Sequence, residues 1–282
     1  MTLLRSVFII AIVNLFLSGC EKIFPPSPYD CKNLPNAYQN LPEDNRYHFI
    51  LWRKSDLSQK AFDDLLFNTL TPTILNIDSD SIRYWVTDPT IESLTLRQKP
   101  RDDNALLAAI ISVKTDSQSD AMSLYSWLSQ HVHFASAYQV QHSLPLDYQR
   151  DWALGKASPG IVSLSLFKRK EGLDKLGFKN YWHCSHTPFA LDLHPLWRYE
   201  RNVVVRALNA NAPVYEGIVP LHMQQDQDLT DFSKFFGNDG HWALYNAMRI
   251  QSDVSNFIDL DHIEATAMRE YVMKEVGTRE SM

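Results

Sequence analysis

The sequence predicts an α+β protein made of two ferredoxin-like halves that close face to face into one barrel. Two observations carry this. Residues 52–72, WRKSDLSQKAFDDLLFNTLTP, align without gaps on residues 168–188, KRKEGLDKLGFKNYWHCSHTP, with identities at Arg53/Arg169, Lys54/Lys170, Leu57/Leu173, Phe62/Phe178, Thr71/Thr187 and Pro72/Pro188. Around each window the apolar pattern alternates between strand and helix periods in the same order. That order, strand, helix, strand, strand, helix, strand, is the split βαβ arrangement.

In the first half YHFIL (47–51) reads as a strand and the repeated window as a helix. IRYWV (82–86) and ALLAAIISV (105–113) read as the next two strands. A second helix follows in SDAMSLYSWLSQHV, where Met122, Tyr125, Trp127 and Leu128 fall near one face, and the last strand runs around Tyr138 and Val140. In the second half the strands are GIVSLSLF (160–167), YERNVVVRAL (199–208), VYEGIVPLHM (214–223) and ATAMREYVM (265–273). Its second helix is split between LTDFSKFFG and HWALYNAMRI. Boundaries of 47–150 and 159–275 follow for the halves, with a loose connection from Pro145 to Gly160.

The N-terminus carries a different signal. Arg5 precedes an apolar run, Ser6 to Leu17, that suits a signal peptide and is too short for a membrane span of about 20 residues. LSGC (17–20) follows directly and resembles the lipobox of bacterial lipoproteins. It implies a signal peptide over 1–19 and a lipidated Cys20 as mature N-terminus; Glu21 resembles the outer-membrane default, with the protein facing the periplasm. Residues 21–46 hold five prolines and no apolar periodicity, the composition of a semi-rigid tether. With Cys20 used as the anchor, Cys31 and Cys184 remain, and an oxidising periplasm permits a disulfide between them without establishing it. A net charge of −6 and no basic stripe give no reason to expect nucleic acid as a partner.

YWHCSHTP (181–188) is the densest cluster of chemistry, and it could be a metal site, a catalytic corner or a helix end. On a regular helix Phe178, Tyr181, Trp182 and Ser185 share the inward face, His186 lies at its edge and His183 points to solvent. Thr187 precedes proline, so the helix is expected to end near His186. Zinc would require His183, Cys184 and His186 to converge, and their helical directions diverge. His186 is a satisfied core-edge histidine, the proton-transfer and ligand-contact group, or, by itself, a metal ligand. A metal at His131, His133 and His142 would need the first two on a strand. Tyr199, Arg206 and His222 could point into the barrel from strands. No G-x-G-x-x-G, P-loop, G-x-S-x-G or C-x-x-C motif occurs, and this reading calls for no cofactor and no metal.

The second half resembles the EthD-like family of the dimeric α+β barrel superfamily. The resemblance rests on Lys168-Arg169-Lys170, Gly172-Leu173, Phe178, Tyr181-Trp182, His186-Thr187-Pro188, Ala190, Tyr199, Asn202, APVYEGI (212–218), SDVSNFID (252–259) and REYVM (269–273). It covers about residues 160 to 275; the first half matches only through the repeat, with Leu70 where His186 stands. It implies an intramolecular dimeric α+β barrel, since one chain supplies both halves that relatives bring together as homodimers, so no oligomer is required. It also implies a cavity lined by both halves that takes a small apolar or aromatic molecule. Relatives carry out cofactor-free oxidation, decarboxylation, dehydration and isomerisation. The expected site is His186 as proton-transfer group, facing the barrel interior, with Tyr181, Trp182, Tyr199, Arg206 and His222 as ligand contacts.

Overall fold

The computed structural model describes residues 41–88, 90, 104–237 and 240–276, without the side chains of Gly240 and His241. The expected signal peptide, Cys20 and Cys31 lie outside the described residues. Eight strands form one closed barrel: β1 (Asp44–Lys54), β2 (Ser81–Thr87), β3 (Ala105–Lys114), β4 (Phe134–Leu146), β5 (Ile161–Phe167), β6 (Arg198–Ala207), β7 (Gly217–Met223) and β8 (Glu264–Glu275). Around the barrel they run β1-β3-β2-β8-β5-β7-β6-β4, every neighbouring pair antiparallel. Each half keeps the ferredoxin-like order, fourth, first, third, second. The halves join where β8 pairs with β2 and where β4 pairs with β6.

Both repeated windows form the same unusual helix. In the first half α1 (Gln59–Asp64), capped by Ser58, passes through a π-helical turn (Leu65–Leu70) into α2 (Thr71–Leu75). In the second half α4 (Lys175–Asn180), capped by Asp174, passes through a π-helical turn (Tyr181–His186) into α5 (Thr187–Leu193). The helix therefore does not stop at His186. Pro72 and Pro188 have no N–H to give, and the widened turn before each one lets the chain continue. The threonine before the proline closes the gap: Thr71 Oγ1 donates to the Leu66 carbonyl and Thr187 Oγ1 to the Trp182 carbonyl, both at 2.8 Å. In the second half buried Arg201 donates to the His183 carbonyl at 3.4 Å, the acceptor that Pro188 has no N–H to reach.

The remaining helices are α3 (Gln118–Leu128), whose buried stripe is Ala121, Leu124 and Leu128, then α6 (Asp226–Thr230), α7 (Phe232–Phe235) and α8 (Gly240–Val254). Among the described residues no helix is long and apolar enough to cross a membrane.

Alternation along the strands separates three cores. Phe49, Leu51, Tyr84 and Ile111 face the helices of the first half; Phe167, Tyr199 and Val219 face those of the second. The inward set, including Ile50, Trp85, Tyr138, Leu164, Ile218 and Met268, fills the barrel from both halves. The barrel interior is thus packed and is not the expected chamber between the halves.

One end of that interior is ionic. Arg83 lies 3.4 Å from Glu270 and donates to the Tyr148 hydroxyl at 2.7 Å; Tyr148 in turn donates to Glu270, and Arg198 pairs with Glu200. Burial alone would raise the Glu270 carboxyl, but His222, Arg83 and Arg198 hold it well below the usual carboxylate range. Tyr148 belongs to the connection between the halves, expected from its composition to be loose. Instead Gly155 and Ser158 donate backbone N–H groups at 2.8 Å to Val272 and Glu270, so the connection is laid along β8.

Gly160 closes this connection at φ +79°, where a Cβ would sit 2.0 Å from the Met223 carbonyl oxygen. Gly155 has φ +75° but open space around it. Gly155→Ala should therefore cost about 1 kcal/mol, from the left-handed backbone alone. Gly160→Ala should cost on the order of 3 kcal/mol or more, because backbone must move as well. Urea unfolding of the two variants checks this, and equal midpoints would contradict it.

Candidate functional site

The chamber lies in the second half, between the outer face of its sheet and its helices. It has a volume of about 250 Å³. Ser163, Ser165 and Phe167, alternate residues of β5, contribute to its floor with Tyr199, Val219 and Ala265. Trp182, His186, Ala190 and His194, each four residues apart on one helical stripe, form one wall. Phe235, Phe236, Ile250, Val254 and Phe257 close the rest. The lining is mostly apolar with a few polar groups, the usual make-up of a small-molecule site, and its volume falls below the roughly 300–1,000 Å³ of larger ligand pockets.

His186 is the chamber's best-equipped polar group. Its Nδ1 lies 2.6 Å from Asp253 Oδ2, and Asp253 is fully buried. A carboxylate only accepts, so Nδ1–H donates and the Nε2 lone pair is left free in the neutral ring. Tyr181 donates its hydroxyl to Asp253 Oδ1 at 2.9 Å, and Asn256 donates to the same hydroxyl at 3.1 Å. Burial, then the Asp253 charge, push the Tyr181 phenol far above its ordinary range, so it stays a donor. Asp253 thus has both oxygens engaged and holds the imidazole in one tautomer and one orientation.

His194 is the second histidine of the wall. Its Nδ1 donates to the Phe235 carbonyl at 2.8 Å and its ring stacks on Phe235 with centroids 4.2 Å apart. Burial pushes its pKa down to about 4, so it is a neutral ring with an accepting Nε2.

The other expected contacts divide. Trp182 and Tyr199 line the chamber, but Trp182 Nε1 donates to the Tyr199 hydroxyl at 2.9 Å, so they mainly present apolar surface. Tyr181 stands behind the wall, its hydroxyl on Asp253 and its ring stacked on the lining residue Phe257 with centroids 5.5 Å apart. Arg206 does not face any interior: it is exposed and bonds Gln139 and Gln118, because β6 shifts register against β4 before it. His222 faces the packed barrel, with Nε2 donating to the Pro159 carbonyl at 2.8 Å and Nδ1 3.4 Å from Glu270. His183 is buried, not exposed, because Arg201 and Glu43 cover it: Arg201 donates to its carbonyl at 3.4 Å and Glu43 lies 3.9 Å from its Nδ1.

His131 and His133 lie in the turn after α3, and His142 is inside the barrel, bonded to Asn202. Among the described residues no three His, Cys, Asp or Glu side chains gather where they could hold a metal ion. Cys184 is half of a disulfide, and the sequence offers only Cys20 and Cys31 as its partner within the chain.

Asp253 and His194 are site residues that the sequence does not single out. The four-residue spacing from Trp182 to His194 was a usable signal for the second. Asp253 stands in SDVSNFID (252–259), a stretch of the family resemblance, but nothing in it points to His186, 67 positions away on another helix.

Residues 170–261 match the family model described as the EthD domain, a stretch that carries His186, His194 and Asp253. In fold the chain is similar to the crystal structure of an anthrone oxidase-like protein, with a TM-score of 0.51 and 7% identity over 87% of this chain and 99% of that one. It is also similar to a dye-decolorizing peroxidase from Bacteroides thetaiotaomicron, with a TM-score of 0.44 and 9% identity over 86% of this chain and 97% of that one. No curated protein matches the chain in sequence. The second half is EthD-like, and the fold is that of the dimeric α+β barrels.

Proposed function

We propose that this chain binds a small, largely apolar molecule in the second-half chamber, and that His186, oriented by Asp253, moves a proton on it. The carrying observation is a buried carboxylate 2.6 Å from a histidine that lines an otherwise mainly apolar chamber. Nε2 takes a proton from an acidic C–H or O–H of the ligand, and Asp253 accepts the hydrogen bond of the imidazolium that forms. The ligand anion then regains a proton at another atom, an isomerisation, or passes two electrons and a second proton to dioxygen as co-substrate, which takes up the His186 proton as well and leaves as hydrogen peroxide. His194, neutral and accepting, fixes a ligand hydroxyl at the other end of the wall. The EthD-domain match over the same residues supports a small-molecule site.

The same reading places the protein in the bacterial envelope, lipidated at Cys20, anchored in the outer membrane and facing the periplasm. LSGC after a short apolar run supports the anchor, and a disulfide at Cys184 suits an oxidising compartment.

Native mass spectrometry of protein extracted gently from envelopes is the test. A co-purifying molecule is expected, small enough for about 250 Å³ and lost under denaturing conditions. Its retention should fall when Ala190→Phe fills the wall between the two histidines. A ligand held equally well by that variant binds elsewhere and would refute the site. Mass analysis of the N-terminal peptide, showing a lipidated Cys20, checks the anchor.

A further inference from the structure

Helix α8 is apolar on two opposite sides. Ala243, Ala247 and Ile250 are buried toward the second-half core, while Trp242, Leu244 and Tyr245 are 62%, 50% and 36% exposed. A single exposed leucine on a folded protein needs no explanation, but a tryptophan, a leucine and a tyrosine within four residues do. Tryptophan and tyrosine together suit the boundary between lipid headgroups and acyl chains, where an amphipathic ring has both surroundings it needs.

The length of chain between Cys20 and the described residues says what can reach this face. Glu43, at the start of β1, accepts from Lys179 at 2.8 Å, so the tether enters beside the helix that carries Cys184 and His186. A lipidated Cys20 has no sulfur left for a disulfide, and Cys184 is then paired with Cys31. From Cys20 to Cys31 is 11 residues, a reach of about 34 Å in an extended proline-rich chain. Without the disulfide the reach would run from Glu43, 23 residues or about 70 Å from Cys20. Trp242 is 11 residues from Asp253 along α8, about 17 Å, and Asp253 contacts His186, two positions from Cys184. Trp242 therefore lies within the shortened reach.

We propose that the outer face of α8, formed by Trp242, Leu244 and Tyr245, docks on the lipid bilayer to which Cys20 is anchored. The inner face of the same helix lines the ligand chamber, so docking sets that chamber beside the membrane and gives an apolar ligand a short path out of lipid. The acyl chains on a lipidated Cys20 hold the protein at the bilayer without fixing which face it presents, and a second contact orients it. The proposal rests on the lipoprotein reading above.

The test uses the mature protein purified from envelope membranes and reconstituted in phosphatidylethanolamine and phosphatidylglycerol vesicles with brominated acyl chains. Of the seven tryptophans only Trp242 is more than half exposed, so bromine quenching reports mainly on it. Quenching should be strong in the wild type and fall at least about threefold in Trp242→Phe. It should fall similarly in Leu244→Ser/Tyr245→Ser, which keeps the reporter and removes the face. Equal quenching in all three proteins would overturn the proposal. So would a dimer in detergent that dissociates on Leu244→Ser/Tyr245→Ser, which would give the face to a second copy. The mass of the N-terminal peptide separates the two readings: lipidated Cys20 with unquenched Trp242 overturns docking alone, while Cys20 without lipid removes the anchor and docking with it.

Discussion

His186→Leu is expected to lower turnover of the bound molecule by roughly 10²–10⁴-fold, the loss that follows removal of a positioned acid or base. Asp253→Asn should come close to it without touching the ligand. An asparagine can turn its amide toward Nδ1, which places the proton on Nε2, the wrong tautomer for a base. If the chamber only holds its ligand, one lost hydrogen bond of about 1 kcal/mol changes affinity by some fivefold, and Asp253→Asn changes it less. The size of the loss thus separates an enzyme from a binding protein. The stability of His186→Leu also departs from what the repeat suggests. Leu70 occupies the matching position, which points to a cost near 1 kcal/mol. The structure adds a second term, because Asp253 would keep only the Tyr181 hydroxyl as a partner while fully buried. A cost of roughly 2–4 kcal/mol is expected, read as a shift in urea midpoint. Full turnover in both variants would return His186 to a structural role.

Acid should unfold the protein well before its buried carboxylates are protonated. Four histidines are buried as neutral rings, and burial is the main cause in each. It takes His48 to about 3 against the pull of Glu200, and His142 and His194 to about 4. It takes His183 to about 2, with Arg201 and Lys179 helping. In the unfolded chain each titrates near 6.5. The sign follows directly. Their folded values are depressed, so the stability they contribute is complete above about pH 6.5 and is lost as pH falls toward the folded values. Four protons taken up only by the unfolded chain correspond to a slope of up to about 5 kcal/mol per pH unit near pH 5. That is comparable to the whole stability of an ordinary domain. Glu200, which burial raises but Arg198 and His142 bring to about 2, keeps its contribution until pH drops below about 4.5. Denaturant titrations at pH 7.5, 6 and 5 should show the decline, and His194→Gln should flatten it by about one proton. A stability that stays level from pH 7 to 4.5 would show that these rings can ionise in place.

The repeat made the architecture legible. Thr71-Pro72 and Thr187-Pro188 carry the alignment, and both pairs build the same threonine-closed π turn. The turn itself was not legible, since a proline after an apolar helical run reads as a stop. His183 is a separate case: helical phase sets it off the sheet-facing stripe, but Glu43, next to β1, and Arg201 of β6 cover it there, and no local pattern shows that. His186 was found because it stands beside Trp182 on a stripe that survives the wider turn. His222 was misplaced for another reason. Alternation along β7 groups residues by face, but a closed barrel has an inner and an outer face, and only tertiary packing tells which of them borders a chamber. Asp253 depends on two helices meeting, and nothing local in either segment announces that contact.

The seams between the halves carry a further consequence. In each half the last strand, β4 or β8, closes onto the second strand of the other half. A half standing alone would expose two unpaired strand edges and the apolar inner face of its sheet. Two separate chains can cover those surfaces only by associating, so their folding weakens on dilution. Here the partner is supplied by the same chain, through the short connection that carries Tyr148, at an effective concentration set by geometry and not by expression level. The melting temperature should accordingly stay the same over a hundredfold range of protein concentration. One copy therefore keeps its barrel however few others are nearby.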